Sequence, residues 1–483
     1  MKRLKEIVLL LLLGIGNSGQ AQEMWGAAHS NYAGQMGLDL NPASIVDAPY
    51  KWELHVLSMD AAALNNYMYL QRNSKLIRKG FQGESVEKEK FTDKYTQRPK
   101  KYGYGSVFLK YPAFIWSDKK WGAAFHVKTR VEFSASHVPY HLAKYFKEGF
   151  DYDFQQGNYY SVNNAKAAAA AWHEFGLSYG RELHNSKEHY WAAAVTLNYN
   201  YGLDGFYLLL DKADYVVPAD TLLLVDELSG SYGHAFPSNG KGSTDSPLTR
   251  RGSGFSTTIG VQYYKNRNDA FFDPCKRGKD EKPYDYRLGV SLLDVGYIRF
   301  NKGARTYSFN ANSTDWYGID TTSFNGFVYT DSILSSNFYG TRLGSRGGFS
   351  FPVYLPTALS VQFDYALSEN LFVNATVIQR VPLSKYAIRR TNQIAITPRF
   401  ESRRFEFSIP ISYYEYFRPR VGLAFRYGVL TMGTDMISPF LGFTDSYGAD
   451  FYFGLSIKNF GSCGRRNGNG KGGVRSIEKC MNK

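Results

Sequence analysis

The sequence predicts an all-β fold: a transmembrane antiparallel β-barrel of about 14 strands, with a short N-terminal plug or hatch segment and long extracellular loops. Apolar and polar residues alternate in one segment after another between residues 52 and 460. Aromatic residues form 16% of the chain, and Gly occurs 46 times. Short and long connections alternate between these segments, as in outer-membrane barrels. Together these observations indicate strands that face lipid on one side and a polar interior on the other.

The N-terminus has the three parts of a secretory signal peptide. Lys2, Arg3 and Lys5 form a basic start, residues 7–13 are an apolar core, and residues 18–21 end in a small-x-small cleavage motif. The core is shorter than the roughly 20 residues that a membrane helix needs; a buried N-terminal helix is the alternative. We therefore expect export to the cell outer membrane. The predicted divisions are a signal peptide at 1–21, a plug or hatch segment at 22–51, the barrel at 52–460 and a periplasmic, basic, Gly-rich tail at 461–483.

Side chains of a strand alternate between its two faces, so a barrel wall in a membrane has an apolar outer face and a polar inner face. In residues 191–201 one face carries Trp191, Ala193, Val195, Leu197, Tyr199 and Tyr201. The opposite face includes Thr196, Asn198 and Asn200. A soluble β-sandwich alternates in the same way. The barrel is favoured because bulky aromatic residues lie near the segment ends and small polar residues dominate the polar faces.

This alternation predicts about fourteen wall strands. They are expected at 52–70, 103–116, 121–136, 172–184, 190–203, 253–265, 284–301, 356–367, 370–380, 393–400, 404–414, 419–427, 429–436 and 449–459. Long loops are expected at 72–101, 138–171, 204–251 and 302–354, all extracellular if the N-terminus is periplasmic. The apolar residues of 204–251 predict either a hairpin that extends the wall or a lid. Ala167 to Ala171 are expected to form a helical turn, because Ala is the best helix former.

Several blocks of the chain resemble a known group. They are "NPASIVDAPYKWEL", "WHEFGLSYGRELHNSKEHYWAAAVTLNYNYGLDG", "YRLGVSLLDVGYIRF", "LPTALSVQFDYAL", "ITPRFESRRFEFSIPISY" and "VGLAFRYGVLTMGTDM". In order and spacing they resemble an uncharacterised Bacteroidota outer-membrane β-barrel family, a domain of unknown function within the long-chain fatty-acid transporter-like superfamily. The resemblance implies that Asn41, Pro42 and Ala43 belong to a hatch that enters the barrel. A plain turn into the first strand is the alternative.

Charge and cysteine content exclude some functions and leave others open. Lys and Arg number 57 against 43 Asp and Glu, a net charge of +14, and the excess lies mainly in 72–101 and 465–483. No base-stacking or groove-reading element accompanies it, so nucleic acid is not an expected partner. Cys275, Cys463 and Cys480 match no zinc or haem motif. Because the shorter loop is entropically cheaper to close, we expect a Cys463–Cys480 disulfide, with Cys275 free.

The sequence contains no recognisable catalytic motif, so we expect neither an enzyme nor a cofactor. Strand phase places several charged side chains on inner faces of the predicted wall. They are Lys128, Arg130, Glu132, Glu174, Asp364, Glu406 and Arg426. Charges in a lumen can tune a pore or hold a plug. The alternative is a salt-bridge network that only keeps the wall rigid.

Two functions remain open after these exclusions. The first is passage of a hydrophobic or small solute across the outer membrane, as the resemblance implies. The second is an interaction barrel that anchors, assembles or helps secrete surface proteins. The expected partners are outer-membrane lipid, together with a hydrophobic small molecule in the first case and surface or periplasmic proteins in the second.

Overall fold

The structure is a computed structural model. It describes residues 23–72, 91–93, 100–118, 120–148, 156–237, 246, 248–269, 271–272, 282–322, 327–416, 418–442 and 444–460. The predicted signal peptide, the predicted tail and most of loop 72–101 lie outside the described residues. So do all three cysteines, and the disulfide therefore stays a prediction.

Fourteen antiparallel strands close into one barrel, which confirms the predicted all-β barrel of about 14 strands. The last strand pairs with the first, from Trp52 opposite Asn459 to Leu64 opposite Gly448. Four of the wall strands are interrupted once, and the two parts of each are counted together as one strand. The wall consists of β1 (Trp52–Asn65), β4 with β5 (Lys100–Lys110 and Ala113–Ser117), β6 (Trp121–Pro139), β7 (Tyr159–Asn185), β8 (His189–Ala219), β10 (Gly252–Lys265), β11 (Tyr286–Phe300), β14 with β15 (Phe351–Tyr354 and Ala358–Ala366), β16 (Leu371–Arg380), β17 (Gln393–Glu401), β18 with β19 (Phe405–Ser408 and Ile411–Tyr414), β20 with β21 (Arg418–Val421 and Leu423–Tyr427), β22 (Leu430–Thr434) and β23 (Gly448–Asn459).

The remaining elements lie in connections or in the segment before β1. The strands are β2 (Met68–Leu70), β3 (Phe91–Asp93), β9 (Leu222–Ala235), β12 (Arg305–Tyr317) and β13 (Arg346–Gly348). The helices are α1 (Gln35–Leu38), α2 (Tyr140–Glu148), α3 (Phe327–Tyr339) and α4 (Ser438–Leu441), with a 3-10 helix over Pro42–Ile45. Among the described residues, no helix has the length and apolar character needed to cross a membrane.

The two ends of the barrel differ in their connections. Tight turns join β5 to β6, β7 to β8, β15 to β16, β17 to β18 and β21 to β22, all at one end, here named the short-turn end. Most of the longer connections lie at the opposite end, named the long-loop end. The exceptions are the short β19–β20 connection at the long-loop end and the long β10–β11 connection at the short-turn end. At the long-loop end β8 continues beyond the wall, forms a hairpin with β9, and β9 pairs with β12. Within segment 204–251, residues 204–235 therefore extend the sheet as a hairpin.

The expected helical turn at Ala167–Ala171 is wrong. These residues lie in β7, which begins at Tyr159 rather than at the predicted residue 172. They pair with β6 on one side and β8 on the other, for example Ala170 with Glu132 and with Gly205. Ladder hydrogen bonds on both sides outweigh helix propensity, which is a small energetic preference even for alanine. Likewise, the first strand ends at Asn65 rather than at residue 70.

Burial along the wall strands follows the predicted alternation with polar side chains inside. In β15 the side chains of Val361 and Phe363 are 42% and 41% exposed, whereas Ser360 and Asp364 are at most 1% exposed. This is the reverse of a soluble protein, in which apolar side chains are buried. An apolar outer face around a polar interior suits a wall that contacts lipid.

A bulge in β11 turns one carboxylate into the lumen. Thr257 pairs with Val295 and Ile259 with Leu292, so Thr258 lies opposite both Leu293 and Asp294. Asp294 has a φ of 51° and is buried. Asp is among the residues that tolerate this left-handed conformation. Bulges commonly redirect a side chain in this way.

Candidate functional site

Residues 23–50, named the inner segment, lie inside the barrel and contact inward side chains from many wall strands. Near its start, the Tyr452 hydroxyl accepts from the Gly26 N–H (3.2 Å), and the Ser408 hydroxyl donates to the Gly26 carbonyl (2.6 Å). Farther along, the Ser291 hydroxyl donates to the carbonyl of Leu40 (2.6 Å), and that of Ser117 donates to the carbonyl of Val46 (3.1 Å). The inner segment therefore spans the lumen without joining the wall sheet.

The predicted hatch residues occupy a niche between two wall strands. The Asn41 carbonyl oxygen Oδ1 accepts from the N–H of Ala43 (3.0 Å) and caps the 3-10 helix that begins at Pro42. The Asn41 amide donates to the backbone carbonyl of Val261 (3.2 Å). A Cβ placed on Gly260 would lie 2.1 Å from Asn41 Oδ1, so only glycine leaves room for this side chain. The motif is thus both a helix cap and an attachment to β10.

Four of the predicted luminal charges, Lys128, Arg130, Glu132 and Glu174, meet in one ion-pair network, named the central network. Arg130 binds Asp294 with two bonds of 3.0 Å and contacts Glu174 at 3.2 Å. Lys128 contacts Glu174 at 2.9 Å and Asp39 of the inner segment at 3.0 Å. The network therefore links three wall strands to the inner segment.

Three further charged residues complete the central network, and sequence phase did not identify them. Lys110 contacts the second oxygen of Asp39 at 2.6 Å. Arg390, from the connection between β16 and β17, binds Glu23 with bonds of 2.8 and 3.0 Å and contacts Asp294 at 3.2 Å. Both ends of residues 23–39 are thus fixed by carboxylates, Glu23 and Asp39, that pair with cations of the barrel.

A small cavity with both polar and apolar lining lies against the central network. Its volume is about 60 Å³, and its lining includes Asp39, Asp60, Arg130, Asp294 and Arg390. A water molecule needs roughly 10–15 Å³ by the same measure, so the space suits a few waters. The two carboxylate oxygens of Asp60 are buried and have no hydrogen-bond partner, which is consistent with solvation from this cavity.

A second network surrounds the predicted luminal residue Asp364. Arg399 binds Asp364 with bonds of 2.6 and 2.8 Å, and Arg287 contacts it at 3.2 Å. Arg287 also donates to the carbonyl of His29 (2.6 Å). Glu401 pairs with Arg399 at 2.9 Å and accepts from the Asn31 side chain at 2.7 Å. This network therefore also holds the inner segment.

The last two predicted luminal charges, Glu406 and Arg426, pair with each other at 3.0 Å. Glu406 accepts a hydrogen bond from the Ser30 hydroxyl (2.6 Å), and the Arg426 guanidinium lies over the ring of Tyr32 at 4.9 Å. All seven predicted charges are buried in the lumen. The structure brings four of them together directly and connects the other three through the inner segment.

The inner face changes character toward the long-loop end. Beyond Glu174 on β7, the buried residues are Trp172, Ala170 and Ala168. They belong to a cluster, named the apolar layer, of buried residues from several wall strands and one connection: Trp172, Tyr207, Leu209, Ile298, Phe300, Phe351, Val353, Leu355 and Ile388, with small alanines between them. The Arg130 guanidinium lies 4.9 Å from the Trp172 ring and marks the boundary with the central network.

The apolar layer is closely packed by its own side chains. The ring of Phe300 lies against two glycines of β8, because a Cβ on Gly205 would come within 2.5 Å of it and one on Gly202 within 3.0 Å. The Trp172 indole nitrogen is buried without a hydrogen-bond partner. The layer thus presents aromatic surface and one unpaired donor just above the charged region.

The part of the sheet that extends beyond the barrel wall has its own hydrophobic core. His141 of α2 stacks on Tyr160 with ring centroids 4.2 Å apart, and burial lowers the pKa of His141 to about 4, so the ring is neutral. On the other part of this sheet, α3 packs Phe338 against Phe309 and Trp316 at 5.7 and 6.1 Å. The described long-loop end is therefore an ordered, aromatic-rich structure.

The described residues include no group of three or more His, Cys, Asp or Glu side chains arranged to hold a metal ion. The lumen contains ion pairs around a space for a few waters, with an apolar aromatic layer next to it.

Comparison with known proteins identifies one family model and several similar solved structures. A family model described as "Family of unknown function (DUF5723)" matches residues 42–435. A comparison with curated proteins found no match. Similar solved structures include a TodX deltaS2S3 mutant monoaromatic hydrocarbon channel, with 10% identity over 91% of this chain and 99% of that one and a TM-score of 0.42. The Ralstonia pickettii toluene transporter TbuX has 9% identity over 92% and 98%, with a TM-score of 0.39.

A third similar structure is a Pseudomonas aeruginosa FadL homologue, with 12% identity over 92% of this chain and 100% of that one and a TM-score of 0.31. Because these identities and TM-scores are low, the likenesses carry no argument about what this chain binds.

Proposed function

The chain belongs to the family of unknown function DUF5723, and we propose that it is an outer-membrane β-barrel that passes a small hydrophobic solute and is gated by its inner segment. Its outer face supports the membrane placement. Bulky apolar side chains such as Phe255 and Leu197 are 74% and 61% exposed there, which lipid would cover and water would not favour.

The apolar layer is the observation that carries the proposal. A water-filled pore has a polar interior along its length. Here the long-loop end of the lumen is aromatic and aliphatic, from Trp172 to Phe300, and the charged region begins only below it. A small apolar solute can replace side-chain contacts in that layer, because binding pockets are mostly apolar with a few polar groups. The layer is therefore the proposed entry site.

The inner segment is the proposed gate because it closes the lumen without being part of the wall. Its attachments include the ion pairs of Glu23 with Arg390 and of Asp39 with Lys110 and Lys128. Movement of this segment leaves the ladder hydrogen bonds of the barrel intact. The luminal charges that lose their partners would then be hydrated, because water can enter the opened lumen. The luminal charges then serve to hold the gate closed.

Asn41, Pro42 and Ala43 form the proposed hinge of the gate. The Asn41 side chain is fixed in the niche beside Gly260, so the preceding residues can move while this point stays in place. Proline has a fixed φ and no N–H, which gives the chain a rigid turn at this position.

A reversible cross-link between gate and wall tests the proposal. In a cysteine-free background, Ser30→Cys and Glu406→Cys would be joined by a short bis-methanethiosulfonate reagent, since these side chains are 2.6 Å apart in the native protein. Uptake of labelled small aromatic hydrocarbons would be measured in cells carrying the protein in their outer membrane. Phospholipid vesicles are unsuitable because apolar solutes cross them unaided. Polar solutes of similar size are the comparison.

We expect cross-linking to reduce hydrocarbon uptake to the level of cells without the protein, and reduction of the cross-link to restore it. Each single-cysteine variant, treated with the same reagent, controls for modification alone. Uptake that is unchanged by the cross-link would contradict the gate. A protein that passes none of the solutes in either state would contradict the passage function.

The ordered sheet at the long-loop end favours a second candidate, an interaction barrel that binds a surface protein. Tyr317 at the end of β12 and Tyr329 on α3 are 72% and 55% exposed on this otherwise well-packed structure. A photo-reactive residue in place of Tyr317, compared with one in place of the exposed residue Tyr179 on the outer face of β7, would test it in intact cells. One specific cross-linked partner at Tyr317, with no solute uptake, would support this second function.

A further inference from the structure

Four aromatic residues form one row across the outer face of neighbouring strands near the long-loop end. Phe255 of β10 pairs with Tyr199 of β8 on one side and with Tyr297 of β11 on the other, and Tyr297 pairs with Tyr354 of β14. The ring centroids are 5.5 Å apart for Tyr199 and Phe255, and 5.3 Å apart for Tyr297 and Tyr354. Such rows mark the level at which a barrel wall leaves the hydrocarbon of a membrane.

Three exposed cations lie just beyond this row. Arg299 follows Tyr297 by two residues on the same outer face of β11 and pairs with Ser253 of β10. Lys302 comes close to Arg250, because the N–H of Lys302 donates to the carbonyl of Arg251 (3.1 Å). All three side chains are exposed. The backbone pairing therefore gathers two guanidinium groups and one ammonium group within a few residues of the aromatic row.

The nearby carboxylate does not neutralise these cations. Asp204 of β8 is bonded to Arg251 at 3.2 Å, and the Arg251 side chain is only 1% exposed. Arg250 donates to the hydroxyl of Tyr199 (3.4 Å), which directs its guanidinium toward the aromatic row. Among the described residues, no ion pair links Arg250, Arg299 or Lys302 to a carboxylate. An anionic group can therefore approach all three.

We propose that Arg250, Arg299 and Lys302 bind the phosphate of a lipid headgroup whose acyl chains lie on the adjoining apolar wall. Arginine forms paired hydrogen bonds with phosphate oxygens, and lysine adds a point charge. Below the aromatic row, Leu197 and Ile259 are 61% and 48% exposed and offer the surface for the acyl chains. This inference rests on the proposed placement in the outer membrane, but not on solute passage or gating.

Binding to the purified, detergent-solubilised protein tests the site. The probe is lipid A, a bisphosphorylated acylated disaccharide, compared with the same lipid after removal of its phosphates and with inorganic phosphate. The test variant combines Arg250→Gln, Arg299→Gln and Lys302→Gln. The control combines Lys51→Gln, Arg181→Gln and Lys187→Gln, which removes three exposed cations at the short-turn end. Heat-modifiable gel migration checks that each variant is folded, and Arg299→Gln alone is the milder variant.

We expect the test variant to bind lipid A at least about tenfold more weakly, since each cation near a membrane surface contributes roughly 1 kcal/mol. The control should bind within about twofold of the unaltered protein, and the dephosphorylated lipid should bind poorly to both. Equal losses in test and control variants would overturn the site. Inorganic phosphate that competes with lipid A at equal concentration would overturn the assignment to a lipid. Because this assay involves no transport, its failure is distinguishable from failure of the proposed function.

Discussion

Arg130 and Asp294 form a two-bond ion pair across the lumen, with the two terminal guanidinium nitrogens each 3.0 Å from a carboxylate oxygen. The two residues are 164 positions apart, on β6 and on the bulge of β11. Asp294 also accepts from Arg390, so this pair connects the wall to the part of the network that holds Glu23. It is therefore one of the contacts that couple the wall to the proposed gate, in addition to those of Asp39 with Lys110 and Lys128.

Removing one partner of this pair should destabilise the barrel strongly. We expect Arg130→Met, or Asp294→Asn, to lower the free energy of unfolding by about 3–5 kcal/mol, because each change removes a two-bond partner from a buried charge and leaves the network with unbalanced charge. Arg130 would still contact Glu174, and Asp294 would still contact Arg390. The double variant should lose less than the sum of the two single losses. Guanidinium titration of the protein in lipid vesicles measures these changes.

Lys212→Met is the matched control for a surface pair. Lys212 pairs with Glu227, and both side chains are 40% exposed. A loss within about 1 kcal/mol is expected. Additive losses in the Arg130 and Asp294 variants would mean that these residues do not interact energetically, and the coupling described above would then be wrong.

The alternation of side chains along the strands could predict much of this site but not Asp294, its central carboxylate. Asp364, Arg287 and Arg399 all lie at inward positions of regular strands, and the same two-residue rule that predicted Asp364 applies to the two arginines. Asp294 escapes the rule because the bulge buries it together with its neighbour Leu293. Arg390 lies in a connection, where no alternation exists.

The inner segment was predictable only through resemblance. Glu23 and Asp39 belong to a stretch with no strand or helix periodicity long enough to assign a face. Their partners come from residues up to 367 positions away. No local pattern contains such information, whereas the Asn-Pro-Ala motif indicated a special role for this region.

Weakening the attachment of the gate should open the lumen. We expect Glu23→Gln, and separately Arg390→Gln, to raise the frequency of open events in planar-bilayer recordings, because each removes the charge from a buried two-bond pair. High salt should change this effect little, since buried pairs are poorly screened.

Glu188→Gln controls for loss of a carboxylate elsewhere. Glu188 is 68% exposed at the short-turn end, where it pairs with Lys265. Its recordings should match those of the unaltered protein. If Glu23→Gln opens no more often than this control, the luminal charges stiffen the wall and do not hold a gate.

Substitutions at Asn41 can separate a hinge from a plain turn. Asn41→Ala removes both the cap on Ala43 and the bond to Val261, and helix caps contribute about 1 kcal/mol. Asn41→Asp keeps an oxygen for the cap but lacks the donor to Val261. We expect hydrogen exchange of the Ala43 amide to accelerate in Asn41→Ala and to stay slow in Asn41→Asp.

The two roles differ in their effect on gating. A hinge attached to the wall predicts more open events in both variants, because both lose the bond that fixes Asn41 to β10. A plain turn predicts altered exchange at Ala43 in Asn41→Ala with unchanged recordings. The second pattern would exclude the hinge while leaving the helix cap in place.

The depth of the wall in the membrane can be measured with arginine substitutions along β8. Val195 lies midway between the outward aromatic residues Trp191 and Tyr199, four residues from each, or about 13 Å along the strand. If those rings mark the two interfaces, Val195 lies near the midplane. Val195→Arg should then lower the free energy of unfolding by about 2–4 kcal/mol. Tyr201→Arg, just beyond the aromatic row, should cost only about 0–1 kcal/mol.

The same vesicle titration measures both variants, and Val195→Leu controls for a change of side-chain size at the deep position. Because an arginine near an interface can extend its charge into water, the cost depends on depth and not on the residue type alone. Equal costs for Val195→Arg and Tyr201→Arg would contradict the placement of the aromatic row at an interface. That result would also remove the basis for a lipid headgroup beside Arg299, since the phosphate must lie at the level where the hydrocarbon ends.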